Sequence, residues 1–583
     1  LTSGLFTVVA AFCRKFLLLL LSPALLAGCR QDIGELLRDV NRSAAVASYK
    51  DPAPLPKSDV NGDGYADIVV GAMAGGDPFG SGIAYVLYGS ATGINPPSAN
   101  NCTYPACTEI ENPEDENSGG FIAFAAAYAI AGDVNGDGFA DIAIGAASNG
   151  VTNTPPGLAD NRGAVYVFYG SASGITAYPQ DVGVSAYPCS SVANGCTMFQ
   201  NPENAQGAFG AALAAAGDIN GDGYADIVVG ASQNNGFIGK VYIIYGSATG
   251  ISYRPFTGSN DTCAAPACTE ISDPQNTNGF GYRVSGAGDL NADGYPEIVA
   301  TDLSNNGVVT VFYGSASGIA ARATGGYPCT GFSDGCAEIY NPRALLGFGN
   351  SLSAADFNRD GFGDLVVGAY QNADGAPNQR GAVYVYYGSS TGVEPHLVAN
   401  GSYTCSGACA EIRNPTDGLF GQFGISARSA GDVNRDGFAD LVVGAHRNFA
   451  DTAGDNGGNA YVFYGGATGI TRHPYGTPVY ACTGFPDCTL VRNPRDENNG
   501  VFGCQVSAAG DTNADGFDDV WVGASGAGPG GEGTVTIYYG KTSGITYRGT
   551  GAGTGYTCSG ATECTAVINP RPGVAGRFGA INQ

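Results

Sequence analysis

DVNGDGYAD (residues 59–67) places four oxygen-bearing side chains, Asp59, Asn61, Asp63 and Asp67, and a central Gly64 within nine residues. The pattern returns as DVNGDGFAD (133–141), DINGDGYAD (218–226), DLNADGYPE (289–297), DFNRDGFGD (356–364), DVNRDGFAD (432–440) and DTNADGFDD (511–519). Seven copies, about seventy-five residues apart, make this a repeat protein. The fold question becomes what one unit looks like and how seven of them stack.

Alignment on the nonamers defines the unit. Before most of them stands a segment opening on Phe-Gly: FGAALAAAGD (209–218), FGYRVSGAGD (280–289), FGISARSAGD (423–432) and FGCQVSAAGD (502–511). Repeat 5 has the shorter FGNSLSAAD (348–356), and repeat 2 has Phe124-Ala125. After the nonamer comes a β-branched run such as IVVGA (68–72), then an alternating aromatic strand such as VYVFYG (165–170). A Ser/Gly turn such as SATGI (90–94) and a closing strand such as CTEIENP (107–113) complete the unit. Short β-branched and aromatic runs punctuated by Gly read as strands.

Four strands per unit, seven units and no helices predict an all-β fold. The expected form is a seven-bladed β-propeller of four-stranded antiparallel blades, because ring closure protects the sheet edges. An open β-solenoid or a string of sandwiches is the alternative. Repeat 1 lacks a Phe-Gly segment before Asp59, while the chain ends in GRFGAINQ (576–583), a Phe-Gly start without a nonamer. That tail is expected to supply the innermost strand of blade 1, closing a propeller that spans 59–583.

Phe-Gly before the loop, D-x-N-x-D-G-[YF]-x-D in it and Gly-Ala after it resemble the FG-GAP repeat, which builds the seven-bladed head of integrin α-subunits and many bacterial surface proteins. The resemblance covers roughly residues 59–583. It implies that the nonamer joins the first and second strands of each blade and holds calcium. Two departures stand out. The Pro of Gly-Ala-Pro is missing (Gly71-Ala72-Met73), and repeat 4 reads IVATD (298–302) in place of the Gly-Ala run.

Calcium takes six to eight oxygen ligands in flexible geometry. In a tightly wound loop positions 1, 3 and 5 point inward, Gly at 6 supplies positive φ, the carbonyl at 7 faces the ion and position 9 closes the shell. The candidate ligands in repeat 1 are Asp59, Asn61, Asp63, Tyr65 and Asp67, and in repeat 2 Asp133, Asn135, Asp137, Phe139 and Asp141. Repeat 3 offers Asp218, Asn220, Asp222, Tyr224 and Asp226, and repeat 4 Asp289, Asn291, Asp293, Tyr295 and Glu297. Repeat 5 offers Asp356, Asn358, Asp360, Phe362 and Asp364, and repeat 6 Asp432, Asn434, Asp436, Phe438 and Asp440. Repeat 7 offers Asp511, Asn513, Asp515, Phe517 and Asp519, so up to seven calcium ions are expected. An EF-hand needs an acid at position twelve, which here is Val70. Magnesium demands stricter octahedral geometry. A metal-free Asx-turn hairpin is the alternative, weightiest at repeat 4, where Glu297 follows Pro296.

The formal charge of −26 argues against nucleic acid as a partner. Each nonamer carries at least three carboxylates, so the acidity is concentrated there. Residues 1–28 read as a signal peptide of lipoprotein type: Arg14 and Lys15 precede the apolar run FLLLLLSPALLAG (16–28), too short to span a bilayer. LAGC (26–29) resembles a bacterial lipobox, with Cys29 as the lipidated residue and the membrane anchor, and 29–58 reads as a Pro-bearing tether. Fourteen of the 17 Cys fall into one close pair per repeat: Cys102-Cys107, Cys189-Cys196, Cys263-Cys268, Cys329-Cys336, Cys405-Cys409, Cys482-Cys488 and Cys558-Cys564. In an exported chain these read as disulfides, leaving Cys13, Cys29 and Cys504.

Only three His are present, His396, His446 and His473, and no Ser-elbow, zinc motif or phosphate loop accompanies them. The expected role is therefore a calcium-stabilised adhesion or binding propeller, lipid-anchored at the bacterial envelope, outer membrane or cell surface. A polysaccharide-acting enzyme or a purely structural envelope component is the alternative. The second-to-third strand loops vary most, and in integrins the resemblance implies ligand contact on the rim opposite the calcium loops. A protein or glycan partner is expected there, with Arg162, Arg380, His446 and Arg447 contributing.

Overall fold

In repeats 2 to 7 the β-branched run after the nonamer pairs on one side with the segment before it and on the other with the aromatic strand. In the computed structural model these pairings give seven antiparallel sheets, and in blades 2 to 7 the first four strands run from the inside outwards. The described residues are 58–73, 82–97, 102–113, 123–147, 162–176, 189–203, 206–254, 263, 266–302, 307–322, 325–342, 347–371, 380–395, 405, 407–415, 421–447, 457–474, 480–494, 501–527, 531–546, 558–560, 563–571 and 577–579. The signal, tether and Cys29 readings, His396 and most of the long loops lie outside them. The fold is the seven-bladed β-propeller.

Blade 3 shows the common plan. Ala212–Gly217 is the inner strand, followed by Asp226–Ala231, Lys240–Ile244 and the outer Cys268–Ser272. Both faces of the second and third strands are buried between neighbouring blades, which is why these strands read as near-continuous apolar runs. The Phe of each Phe-Gly plugs the blade interior. Phe209 meets Tyr242 edge-on at 5.4 Å, Phe423 meets Tyr461 at 5.7 Å and Phe124 meets Tyr166 at 5.9 Å. In blade 4 Thr310 replaces that Tyr, and Phe280 packs on Phe312 instead.

Blade 1 takes its inner strand from the other end of the chain. Arg577–Phe578 pairs antiparallel with Ile68–Met73, in the register Ala72↔Phe578 and Met73↔Arg577. Phe578 is fully buried and edge-on to Tyr85 at 5.6 Å. The contacts between blades 7 and 1 repeat those found elsewhere. A Cβ on Gly523 would lie 2.2 Å from the Gly579 carbonyl, as one on Gly230 would lie 2.0 Å from that of Gly281. These second-strand glycines set how closely adjacent blades approach. The inner strand of blade 1 has only two residues, and the Tyr128 hydroxyl of blade 2 spans past it to Gln505 of blade 7 at 3.0 Å.

The expectation of four strands per blade holds for blades 1, 3 and 5 and needs correction elsewhere. Blades 2, 4, 6 and 7 add a two-residue fifth strand: Ser190–Ser191, Thr330–Gly331, Thr483–Gly484 and Ser559–Gly560. Loop length decides which blades gain it. Their cystines span 6 or 7 residues of sequence, whereas those of blades 1, 3 and 5 span 4 or 5, too few for a hairpin to turn back. Two single 3₁₀ turns, Val192–Asn194 and Phe332–Asp334, sit inside such hairpins. Among the described residues no helix is long and apolar enough to cross a membrane.

Candidate metal centres and the two rims

Each nonamer is a turn that the backbone could not make without glycine at its sixth position, where φ runs from 88° at Gly516 to 96° at Gly223. The fourth position is also left-handed, and there non-glycine residues stand in four repeats: Ala292, Arg359, Arg435 and Ala514. Sequence reading missed this second strained position. The loop is also a seam between blades. The Asp59 and Val60 carbonyls accept the Ala140 and Ser171 amides of blade 2, and Asp511 and Thr512 do the same for Ala66 and Ser90 of blade 1.

Within a loop the first Asp organises the turn. Asp59 Oδ1 accepts the amides of Gly62 (2.6 Å) and Asp63 (3.2 Å), and Oδ2 accepts that of Gly64 (2.9 Å). Asn61 Nδ2 donates to Asp63 Oδ2 at 3.0 Å. The ninth residue is a latch. Asp67 Oδ2 accepts the Val60 amide at 2.9 Å and Oδ1 the Gly89 amide of the third strand at 2.8 Å. Asp141, Asp226, Asp364, Asp440 and Asp519 repeat that two-amide latch. The ninth Asp thus ties its own loop to the end of the third strand, a role the expected ligand shell left out.

Repeat 4, expected to be the poorest site, differs in the other direction. There Asp289, Asp293 and Glu297 bring carboxylate oxygens within 4.8 Å of one another, the one such cluster among the described residues. The extra methylene of Glu297 explains it. Its Oε2 still accepts the Leu290 amide at 2.5 Å, while Oε1 is buried near the Gly314 amide without a hydrogen bond of ordinary geometry.

The electrostatics favour a cation. Burial pushes Asp67, Asp141, Asp226 and Asp440 up to about 8 against two opposing amide bonds, and the neighbouring loop carboxylates add to the rise. Glu297 is raised well above its usual range by the same burial, with Asp289 and Asp293 adding. An all-oxygen donor set with a buried orphan oxygen beside two carboxylates fits a hard divalent ion. Such an ion would supply the positive charge these carboxylates lack.

All seven Cys pairs are bonded, with Cα–Cα distances from 4.6 to 5.4 Å, and Cys504 is free. Each bridge ties the outer strand to the segment before it, and seven of them fit an oxidising, extracytoplasmic setting. At the opposite rim, one expectation needs correction. His446 is only 4% exposed and its Nδ1 has no partner, so it faces the blade interior, whereas the adjacent Arg447 is exposed. Burial, helped by Arg447, lowers the imidazole to about 4. Arg162 and Arg380 are half-buried where their third strands begin.

Comparison with known proteins matches the family described as FG-GAP repeat to residues 57–87, 129–168, 209–244, 348–386 and 423–463. These five stretches are similar to the FG-GAP repeat. The matched stretches omit the repeats around 289 and 511, which form blades with the same loop hydrogen bonds and strand pairing. Integrin alpha-V of Gallus gallus is 29% identical over 239 residues, 40% of this chain and 19% of the integrin. Integrin alpha-6 of Gallus gallus is 34% identical over 130 residues (22% and 10%), and human integrin alpha-7 33% over 135 (23% and 9%). The chain thus spans less than a fifth of the length of these relatives.

Proposed function

We propose that the propeller is a calcium-stabilised binding or adhesion module at the cell envelope, held there through lipid on Cys29, with a protein or glycan ligand on the rim opposite the calcium loops. The observation that carries this reading is the difference between the rims. On one, seven nine-residue loops repeat a common hydrogen-bond plan, and six of them accept backbone amides of the next blade; Pro296 has no amide to offer the loop of blade 3. On the other, the second-to-third strand connections run from residues 303–307 in blade 4 and 232–239 in blade 3 to 147–163 in blade 2 and 446–458 in blade 6. Loops that bear no scaffold duty are free to vary and to recognise. The loop carboxylates and the seventh-position carbonyls hold the ion, which cancels part of their mutual repulsion and stiffens the turn. Kinship with integrin heads supports binding over catalysis.

The test is to shorten 149–161 and 448–457 to the length of the blade 3 loop and measure binding to a glycan array and to envelope extracts. Binding should fall while the fold persists. Unchanged binding, with loss on mutating the calcium rim, would overturn the assignment.

A further inference from the structure

The fourth residue of a nonamer leans on the loop of the next blade. A Cβ on Gly62 would lie 2.7 Å from the Phe139 ring, one on Gly136 2.7 Å from the Tyr224 ring and one on Gly221 3.0 Å from the Tyr295 ring. Each of those rings belongs to the seventh residue of the following nonamer. A long side chain at the fourth position therefore has to run over the neighbouring loop. Two repeats carry one, Arg359 in blade 5 and Arg435 in blade 6. Both hold the left-handed backbone of the position, at φ 55° and 59°, and both are exposed.

Each guanidinium ends against the sixth residue of the next loop. A Cβ on Gly437 would lie 2.4 Å from Arg359 Nη1, and one on Gly516 2.6 Å from Arg435 Nη1. The equivalent places at Gly64, Gly138, Gly223 and Gly294 are open, with no such neighbour within 4 Å. The first Asp of the loop bonds that same glycine: Asp432 Oδ2 accepts the Gly437 amide at 2.8 Å, and Asp511 Oδ2 the Gly516 amide at 2.8 Å. Adding the two covalent bonds between, about 1.5 Å each, puts Nη1 within about 8.5 Å of the carboxylate. Among the described residues neither guanidinium forms a salt bridge, and Arg435 lies 6.0 Å from the centre of the Phe517 ring. Each arginine thus acts on the next loop through its charge, across roughly one Debye length at physiological salt.

The loops of blades 6 and 7 therefore receive a fixed positive charge from the preceding fourth position. The loops of blades 1 and 5 follow Ala514 and Ala292, and those of blades 2 to 4 follow glycine. Without an ion, the tethered charge offsets part of the repulsion among the loop carboxylates. Against a bound cation the same charge is repulsive.

We propose that Arg359 and Arg435 lower the calcium affinity of the loops of blades 6 and 7 and make those loops less dependent on the ion for their fold. The inference rests on the calcium reading above. As free calcium rises, these two loops fill after those of blades 1 to 3.

Trp521, the single tryptophan, stands two residues after Asp519 and so reports on the loop of blade 7. Terbium bound to the full chain and excited through tryptophan, then displaced by calcium, reads the calcium affinity of that loop. Arg435→Gln should tighten it about two- to fivefold, the effect of one unit charge on a divalent ion at such a distance in water, with the lower figure at physiological salt. Arg435→Lys keeps the charge and should keep the wild-type affinity, and Arg359→Gln, which acts on the loop of blade 6, is the control. The gain in Arg435→Gln should vanish in high salt, which a steric role would not produce. In chelator the same variant should melt below wild type, the opposite sign. If wild type gives no terbium signal that calcium displaces, the calcium reading fails and this inference with it. If calcium binds with equal affinity in Arg435→Gln, or if Arg435→Lys behaves like Arg435→Gln, this inference alone is overturned.

Discussion

Phe578→Ala should cost about 3–5 kcal/mol, as expected for a buried Phe truncated to Ala, although the residue lies five positions from the chain end. The side chain is fully buried and edge-on to Tyr85 at 5.6 Å and 79°, close to the 5.4 Å and 69° of Phe209 on Tyr242. An aromatic side chain buries about 150–250 Å². At about 25 cal/mol per Å² that is worth about 4–6 kcal/mol, of which alanine keeps a small part. The same cluster contains Trp521, the single tryptophan of the chain, beside Tyr85, Val535 and Val567. Urea unfolding followed by tryptophan fluorescence therefore reads the closing blade directly. Phe209→Ala, at the equivalent place in blade 3, is the control and should cost the same. A loss below about 1 kcal/mol at Phe578, with the full loss at Phe209, would refute the claim that the C-terminal strand closes the ring on the same terms as the other six.

Chelation should lower the thermal midpoint markedly, because each ion that binds only the folded state adds about 2.7 kcal/mol at a hundred times its Kd; an unchanged midpoint in excess chelator would contradict a structural metal. At repeat 4, Glu297→Gln should raise the midpoint in chelator, by removing a buried carboxyl whose ionisation burial opposes, and reduce the gain on adding calcium; calorimetry with and without the ion checks both signs. The folded His446 has its pKa lowered to about 4, below the ordinary 6.5 of the unfolded chain. Stability is therefore lost as pH falls from 6.5 towards 4, by about 3 kcal/mol at most, and His446→Gln should flatten that slope in pH-dependent urea melts. Denatured without reductant, residues 52–583 should show one reactive thiol, Cys504; two or more would contradict the seven bridges.

Much of this architecture is legible locally. The nonamers, the Phe-Gly starts and the aromatic strands each obey turn chemistry or strand periodicity within a few residues, so blade number and strand order follow from spacing alone. The cysteine pairs are equally local. The ninth Asp is not legible in this way. Its second latch is an amide some twenty residues on, at Gly89 for Asp67 and at Gly170 for Asp141, and no spacing rule reveals that a ligand candidate also ties its loop to the end of the third strand. The fifth strands were missed because they depend on whether a cystine loop has room to turn.

Sequence by itself determined seven units, their strands, the positive-φ glycine of each loop and the cysteine pairing, because each is settled by interactions among residues close in the chain. Tertiary structure alone decided which carboxylates converge, that His446 turns inward, that Phe578 fills a place in blade 1, and that Arg283 of blade 4 and Arg428 of blade 6 both bond the inner strand of blade 5. The contacts of Phe578 and of these two arginines join residues from about seventy to five hundred positions apart. Only the closing of the ring brings such residues within reach of one another.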